Sequence, residues 1–144
     1  MEGDRRAITV ARSMVRKLGA ETYPIRKIDK AAYHAWGAFA SPLLIALFTA
    51  AERVAAAANV APKQARRRML PILRKTLENY AKLGPELAFT GPIARGDLAT
   101  IRKHLRVLED VRGAGDVHRA LANAALLSLP AKNRGALRKL LGKR

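Results

Sequence analysis

Hydrophobic positions crowd one segment of this chain more than any other. The segment from Ala31 to Ala51 contains no charged residue, and most of its side chains are apolar. A helix that is apolar on nearly every side is buried in a protein core or in a bilayer. The pattern therefore predicts one long helix over about 29–58. We expect a kink at Pro42, because a proline ring removes one backbone donor and crowds the preceding turn.

The uncharged segment is long enough to span a hydrocarbon layer ~30 Å thick. It nevertheless contains His34, Ser41 and Pro42 and many alanines, and alanine contributes little to membrane insertion. The helices that follow also have apolar faces that need a partner. We therefore expect the central helix of a core and no membrane span.

Apolar residues recur at helical spacing in four further segments. The predicted helices cover 4–18, 62–83, 97–111 and 116–127. Asp4, Asp97 and Asp116 begin three of them as N-caps, since a carboxylate accepts from free backbone N–H groups. Gly19 and Gly84 follow two of them, as glycine does at helix ends.

Residues 22–28 form the one segment that favours an extended strand, and Pro24 would confine that strand to the edge of a sheet. A lone strand in a helical chain needs a partner for its N–H and C=O groups. Either another copy or a domain outside this chain would supply it. The sequence thus predicts an all-α domain of several helices around a long central apolar helix, with one N-terminal helix–strand unit.

The net charge of +17 on 144 residues changes the picture of possible partners. Such a field attracts nucleic acid, phosphorylated substrates and anionic membrane surfaces alike. The basic residues are spread over the chain, and no acid follows Asp116. We favour a solvated basic exterior with a basic tail, which forms a short helix over 133–141 or stays mobile. Proteins that bind single-stranded nucleic acid interleave aromatic with basic residues. Aromatic residues make up only 5% of this chain, which disfavours such a surface.

The absence of cysteine excludes disulfides and thiolate metal sites. The N-terminus has no apolar stretch typical of a signal peptide. Both features fit a cytoplasmic setting. The three histidines have no metal-ligand spacing, and no glycine-rich phosphate loop occurs, so we expect neither a metal site nor a nucleotide site in this chain.

Two groups of residues are candidates for chemistry. On the long helix, Lys30, His34 and Ser41 share one face, with Gly37 between them. A lysine at the mouth of an apolar pocket can polarise a carbonyl or move a proton, and a histidine can orient a substrate. The bland alternative is a surface lysine and a satisfied core histidine.

The second group lies in the connector 90–97, with the sequence Thr-Gly-Pro-Ile-Ala-Arg-Gly-Asp. Thr90, Arg95 and Asp97 are its candidate substrate-binding residues. The free N–H groups at a helix start favour anions, and an arginine can hold a carboxylate or a phosphate with two hydrogen bonds. The alternative is a tight connector whose glycines and prolines serve backbone geometry alone.

This connector, together with the segments 29–35, 39–41 and 77–79, resembles one family. It is the helical domain of unknown function that follows a Rossmann-like domain in proposed NAD(P)-dependent oxidoreductases. The resemblance covers about 2–127. The wider superfamily includes ketopantoate reductase and the C-terminal domain of phosphogluconate dehydrogenase. Several of its members carry Lys-x-x-x-Asn at the start of the first long helix, with the lysine as acid or base.

The resemblance implies catalytic roles for Lys30 and His34, where His34 replaces the usual asparagine. Ser41-Pro42 also departs from the expected Ser-Asn. The resemblance further implies that NAD(P) binds a missing Rossmann-like domain of the same or a separate chain, and that this chain has no cofactor and no activity alone. It makes a homodimer the expected assembly. A basic module that binds nucleic acid or another polyanion is the alternative function.

The resemblance also organises the chain into three parts. Residues 1–28 are the helix and strand left from the preceding Rossmann-like domain. Residues 29–129 are the helical substrate-cleft and dimerisation domain, and residues 130–144 are the basic tail.

Overall fold

A computed structural model of the chain describes residues 4–142, and within that range every regular element is a helix. The chain divides into two units, Met1–Ile45 and Ala46–Arg144. The elements are α1 (Arg5–Lys17), a 3₁₀ turn (Lys27–Asp29), α2 (Lys30–Ala40), α3 (Pro42–Ala57), α4 (Pro62–Ala88), α5 (Pro92–Arg95), α6 (Leu98–Glu109), α7 (Ala114–Ser128) and α8 (Arg134–Leu141). The predicted all-α class is confirmed.

The first unit begins with α1 as the sequence predicts. The Asp4 carboxylate accepts from the backbone N–H of Ala7 at 2.9 Å. Gly19 follows the helix with a φ of +72°, a conformation that glycine adopts without steric cost. Both ends of this helix were therefore set by local chemistry.

The strand predicted over 22–28 is wrong for the described residues. Residues 20–26 have no regular structure, and Lys27–Asp29 form the 3₁₀ turn. The Arg26 guanidinium donates to the Asp29 carboxylate, with its Nε 2.6 Å from Oδ2. A strand exists only through hydrogen bonds to a second strand, and residues 4–142 contain none. The backbone at Arg26 is extended, as it would be in the predicted strand.

The long apolar helix is broken rather than kinked. Ser41 has φ −133° and ψ −82°, and α3 starts afresh at Pro42, a residue suited to the first turn of a helix. The prediction of a buried central helix is also wrong for the first unit, where Trp36 is 63% and Phe39 is 71% exposed. Apolar composition could not reveal whether another surface covers these side chains.

The segment Lys27–Ala57 is long and apolar enough to cross a membrane by length and composition alone. Core helices of soluble proteins and signal sequences pass the same test. Within the second unit, the end of α3 instead contributes to a core, because Ala50 is buried and Val54 packs against Leu108, Val111 and Ala114.

The main core of the second unit lies between α6, α7 and α8. Its buried members are Ile101, Leu105, Ala122, Leu126, Leu137 and Leu141. Each large aliphatic side chain removed from water contributes about 1.5–3 kcal/mol. Leu137, in the segment predicted as a short helix or a mobile tail, is fully buried. The short-helix alternative is therefore confirmed, and α8 completes the core.

Arginine side chains close the C-terminal ends of α7 and α8. Arg134 donates to the carbonyl oxygens of Leu126 and Leu129, and Arg138 also reaches Leu126 O at 3.4 Å. Arg119 donates to Leu141 O at 3.0 Å. The last carbonyls of a helix have no partner within it and carry partial negative charge, so cations are stabilising there. Part of the basic C-terminal charge is thus structural.

Other helix ends differ in detail from the sequence-based expectation. Gly84, at φ +75° and ψ 172°, interrupts α4 where a stop was predicted, but residues 85–88 turn helical again. Pro71 lies inside α4. Gly113 begins α7 in the left-handed conformation, which places Asp116 in the first turn instead of at the cap. An acid in the first turn still complements the helix dipole.

The connector before α6 is fixed to the segment before α8. The Lys132 N–H donates to Ala94 O at 3.0 Å, and Asn133 Nδ2 donates to Gly96 O at 3.1 Å. Gly96 has a φ of +67°, and a Cβ there would lie 2.5 Å from Lys132 O. Only glycine combines this backbone conformation with this close approach.

We expect Gly96→Ala to lower the free energy of unfolding by more than about 1 kcal/mol, because it adds a collision to an unfavourable φ. Urea denaturation followed by circular dichroism measures the loss. Gly113→Ala is the matched control, since its φ is +73° and a Cβ would meet nothing within 4 Å. Equal losses in the two variants would show that the contact between Gly96 and Lys132 is unimportant.

Candidate functional site

The residues predicted on the long helix lie in the first unit. Lys30 and His34 are one turn apart on α2, and both are exposed. Ser41 is exposed at the break after α2, and its backbone N–H donates to Gly37 O at 3.1 Å. The predicted row on one helical face is therefore continuous from Lys30 to Gly37, and Ser41 stands where the helical geometry ends.

The residues predicted on the connector lie in the second unit. Thr90 and Arg95 are exposed, and Asp97 is half-buried. The Asp97 carboxylate accepts from both the backbone N–H of Thr100, at 3.0 Å, and its hydroxyl, at 2.7 Å. These hydrogen bonds hold the pKa of Asp97 below its usual value, and the charge of Arg95 adds to the effect. Asp97 acts as the predicted cap of α6.

The geometry therefore explains most of the connector without a ligand. Gly96 makes the close approach to Lys132, Asp97 caps α6, and Pro92 occupies the first turn of α5. Thr90 and Arg95 remain the connector residues with exposed polar groups. The roles of the residues predicted on the connector and on α2 stay predictions.

The second unit also contains a cavity of about 630 Å³ that sequence analysis missed. Most of its wall is aliphatic, and Phe89 is the one Phe, Tyr or Trp side chain that lines it. The apolar wall comprises Leu47, Ala50, Ala51, Val54, Phe89, Ile93, Val107, Leu108, Ala114, Val117, Leu121, Ala122 and Ala125. Its polar members are Lys103, His104 and His118. Small-molecule sites commonly have this size and this mixture of an apolar wall with a few polar groups.

The two cavity histidines face each other edge to face. The ring centroids of His104 and His118 are 6.3 Å apart, with the planes at 85°. His118 Nδ1 is buried without a hydrogen-bond partner. Burial lowers the pKa of His118 below its usual value near 6.5, and positive charge on His104 and Arg119 lowers it further. His118 is therefore neutral at pH 7.

The sequence contained one signal for this pair. Residues 110–113 form a short connection between α6 and α7, and helices joined by short connections pack side by side. His104 and His118 stand at similar distances from that connection, so they meet across the helix pair. Spacing along the chain does not predict this pairing, because it depends on the packing of two helices.

The histidine pair does not form a metal site by itself. No group of three or more His, Cys, Asp or Glu side chains in the described part of the chain could hold a metal ion. A structural or catalytic zinc ion needs at least three protein ligands. The apolar wall of the cavity suits an organic ligand.

A family model for a domain of unknown function, DUF2520, matches residues 1–125. The chain belongs to this family. No curated protein and no solved structure matches it.

The lowered pKa of His118 predicts how stability depends on pH. Below pH 6.5 the unfolded chain takes up a proton that the folded chain binds more weakly, so the free energy of unfolding falls as the pH falls. The loss stops growing below the lowered pKa of the folded state. Urea denaturation at pH values from about 5 to about 8, spaced by about one unit, measures the slope of the free energy of unfolding against pH.

We expect both His118→Leu and His118→Gln to reduce this slope, since neither side chain titrates. His118→Leu removes both the titrating group and the polarity of the side chain, whereas His118→Gln removes the titrating group and keeps a polar side chain. A slope unchanged in both would contradict a proton-linked cost at position 118.

Proposed function

We propose that this member of the family is the helical substrate-cleft and dimerisation domain of an NAD(P)-dependent oxidoreductase, and that it is not catalytic alone. The nucleotide would bind a Rossmann-like domain of the same or a separate chain. The proposal takes the enzyme class from the resemblance in the connector 90–97 and around Lys30 and His34. The exposed surface of α2 supports the proposed cleft and the proposed interface.

The observation that carries the proposal is the exposure of α2. Lys30 and His34 lie on a helix whose other large side chains are apolar and exposed, including Tyr33, Trp36 and Phe39. Tyr33 and Trp36 also contact each other edge to face, with ring centroids 5.3 Å apart. Contiguous exposed apolar surface marks an interaction site. A neighbouring lobe or a second copy would complete the surroundings of the polar row.

The proposed catalytic role of Lys30 follows from this arrangement. A lysine at the mouth of an apolar cleft that a second lobe covers could polarise a substrate carbonyl or transfer a proton. His34, one turn away, would hydrogen-bond the substrate. In the chain alone both residues are exposed, so the surroundings that acid–base catalysis needs would be absent.

The alternative, a polyanion-binding module, has less support from the positions of the basic residues. Arg119, Arg134 and Arg138 donate to backbone carbonyl oxygens at the ends of α7 and α8. Arg66 lies 3.3 Å from Glu52 in an ion pair. These guanidinium groups are partly occupied within the chain. Removal of the C-terminal basic segment would also remove Leu137 from the core, so truncation is a poor test of nucleic-acid binding.

Self-association tests the interface. We expect the chain to form dimers and the double variant Trp36→Lys, Phe39→Lys to weaken dimerisation by at least about tenfold, because loss of buried aromatic anchors costs ~2 kcal/mol or more. Sedimentation equilibrium measures the change. Leu127→Lys is the control, since Leu127 is 78% exposed in the second unit. A wild-type monomer at high concentration would overturn the interface.

Enzyme assays test the catalytic assignment. In a protein that joins this domain to its nucleotide domain, we expect Lys30→Ala to lower kcat by about 10²–10⁴-fold, the usual contribution of an acid–base group. Stability should change by less than about 0.5 kcal/mol, because Lys30 is exposed. Lys27→Ala, also exposed on the preceding turn, is the control. Tight binding of NADPH by the isolated chain in a calorimeter would contradict the proposed division of labour.

A further inference from the structure

We propose that the cavity of the second unit binds a small amphipathic carboxylate, with its hydrocarbon chain against the apolar wall and its carboxylate between the imidazoles of His104 and His118 and the ammonium of Lys103. The inference does not rest on the proposed function. All the lining residues belong to the second unit, so binding is a property of that unit whatever enzyme it serves.

The wall argues for a hydrocarbon body. Leu47 and Val54 come from α3, Ile93 from α5, Val107 from α6 and Leu121 from α7, so four helices line one apolar space. Its volume of about 630 Å³ lies in the range that takes small organic molecules. Apolar surface that remains in contact with water is unfavourable, and a hydrocarbon chain would remove it from water.

The polar groups argue for an anionic head. Every lining side chain that can carry a charge is basic, namely Lys103, His104 and His118. The ring centroids of His104 and His118 are 6.3 Å apart, and both rings line the same cavity. Each imidazole can donate a hydrogen bond to a carboxylate placed there, and the Lys103 ammonium carries the opposite charge. The head group would then accept charge-assisted hydrogen bonds.

The acids on the same helices do not compete for this position. Glu109 lies at the end of α6, Asp116 in the first turn of α7, and Glu52 pairs with Arg66 at 3.3 Å. None of the three lines the cavity. The charge at the cavity is therefore complementary to a carboxylate and opposed to a cationic ligand.

The buried Nδ1 of His118 indicates which ring nitrogen carries the proton in this complex. Nδ1 is buried without a partner, so the proton of the neutral ring is placed better on Nε2. In the proposed complex Nε2–H donates to the carboxylate.

Binding of decanoate to the full chain tests the proposal, with 1-decanol and decylamine as uncharged and cationic probes of the same length. We expect decanoate to bind at least about tenfold more tightly than either, as measured by calorimetry at physiological salt. The chain has three histidines. Decanoate should shift the imidazole NMR signals of His104 and His118 and leave those of His34 in place.

Two variants test the head-group position. We expect His104→Leu and Lys103→Gln each to weaken decanoate binding by at least about fivefold and to leave decanol binding unchanged. Arg102→Gln is the matched control, because Arg102 is an exposed cation on α6 that does not line the cavity. Circular dichroism confirms that each variant is folded.

Three results would overturn the proposal. Decanol bound as tightly as decanoate would mean that the head-group position selects nothing. An equal response of His34, or an equal loss in Arg102→Gln, would mean that decanoate merely follows the overall positive charge. No binding of any probe, with the imidazole signals unmoved, would mean that the cavity takes no such ligand. None of these results bears on dimerisation through α2.

Discussion

The second unit depends on the return of its C-terminal segment to the start of α6. Lys132 and Asn133 hydrogen-bond the backbone of the connector at Ala94 and Gly96, and Leu137 then enters the core fully buried. The same segment supplies Arg134, whose guanidinium closes the end of α7. One short stretch therefore joins three helices through backbone, apolar and charge-assisted contacts. Without it, α6 and α7 would expose the faces that they now bury.

That arrangement changes the meaning of two conspicuous features of the sequence. The strong Thr-Gly-Pro-x-x-Arg-Gly-Asp run suggested a ligand site, but Gly96 and Asp97 have structural tasks in a close approach and a helix cap. The high positive charge suggested a surface for polyanions, but several arginines neutralise helix ends. In both cases a side chain or a backbone conformation that favours ligands in general is already used within the chain. The apolar helix α2 differs from both, because its large side chains remain exposed in the chain alone.

The cavity and the α2 surface divide the possible functions between the two units. The first unit offers Lys30 and His34 among exposed aromatic side chains. Such a surface suits assembly and a cleft shared with another lobe. The second unit offers an apolar cavity lined by His104 and His118, suited to a ligand held by this chain alone. The oxidoreductase domain that we propose would use the α2 surface, and the cavity would add a second binding site.

The sequence by itself determined the helical class, the caps at Asp4 and Asp97, the helix end at Gly19 and the positions of the interruptions at Pro42 and Gly84, because these depend on contacts within one turn of the chain. The interruption at Pro42 is a break where a kink was expected. It did not determine which apolar faces meet. The exposure of α2, the burial of Leu137 and the lack of a strand over 22–28 all depend on whether a second surface is present, and hydrophobic periodicity does not contain that information. The pairing of His104 with His118 was decided by the tertiary structure for the same reason. Their distance is set by the packing of two helices and not by their separation along the chain.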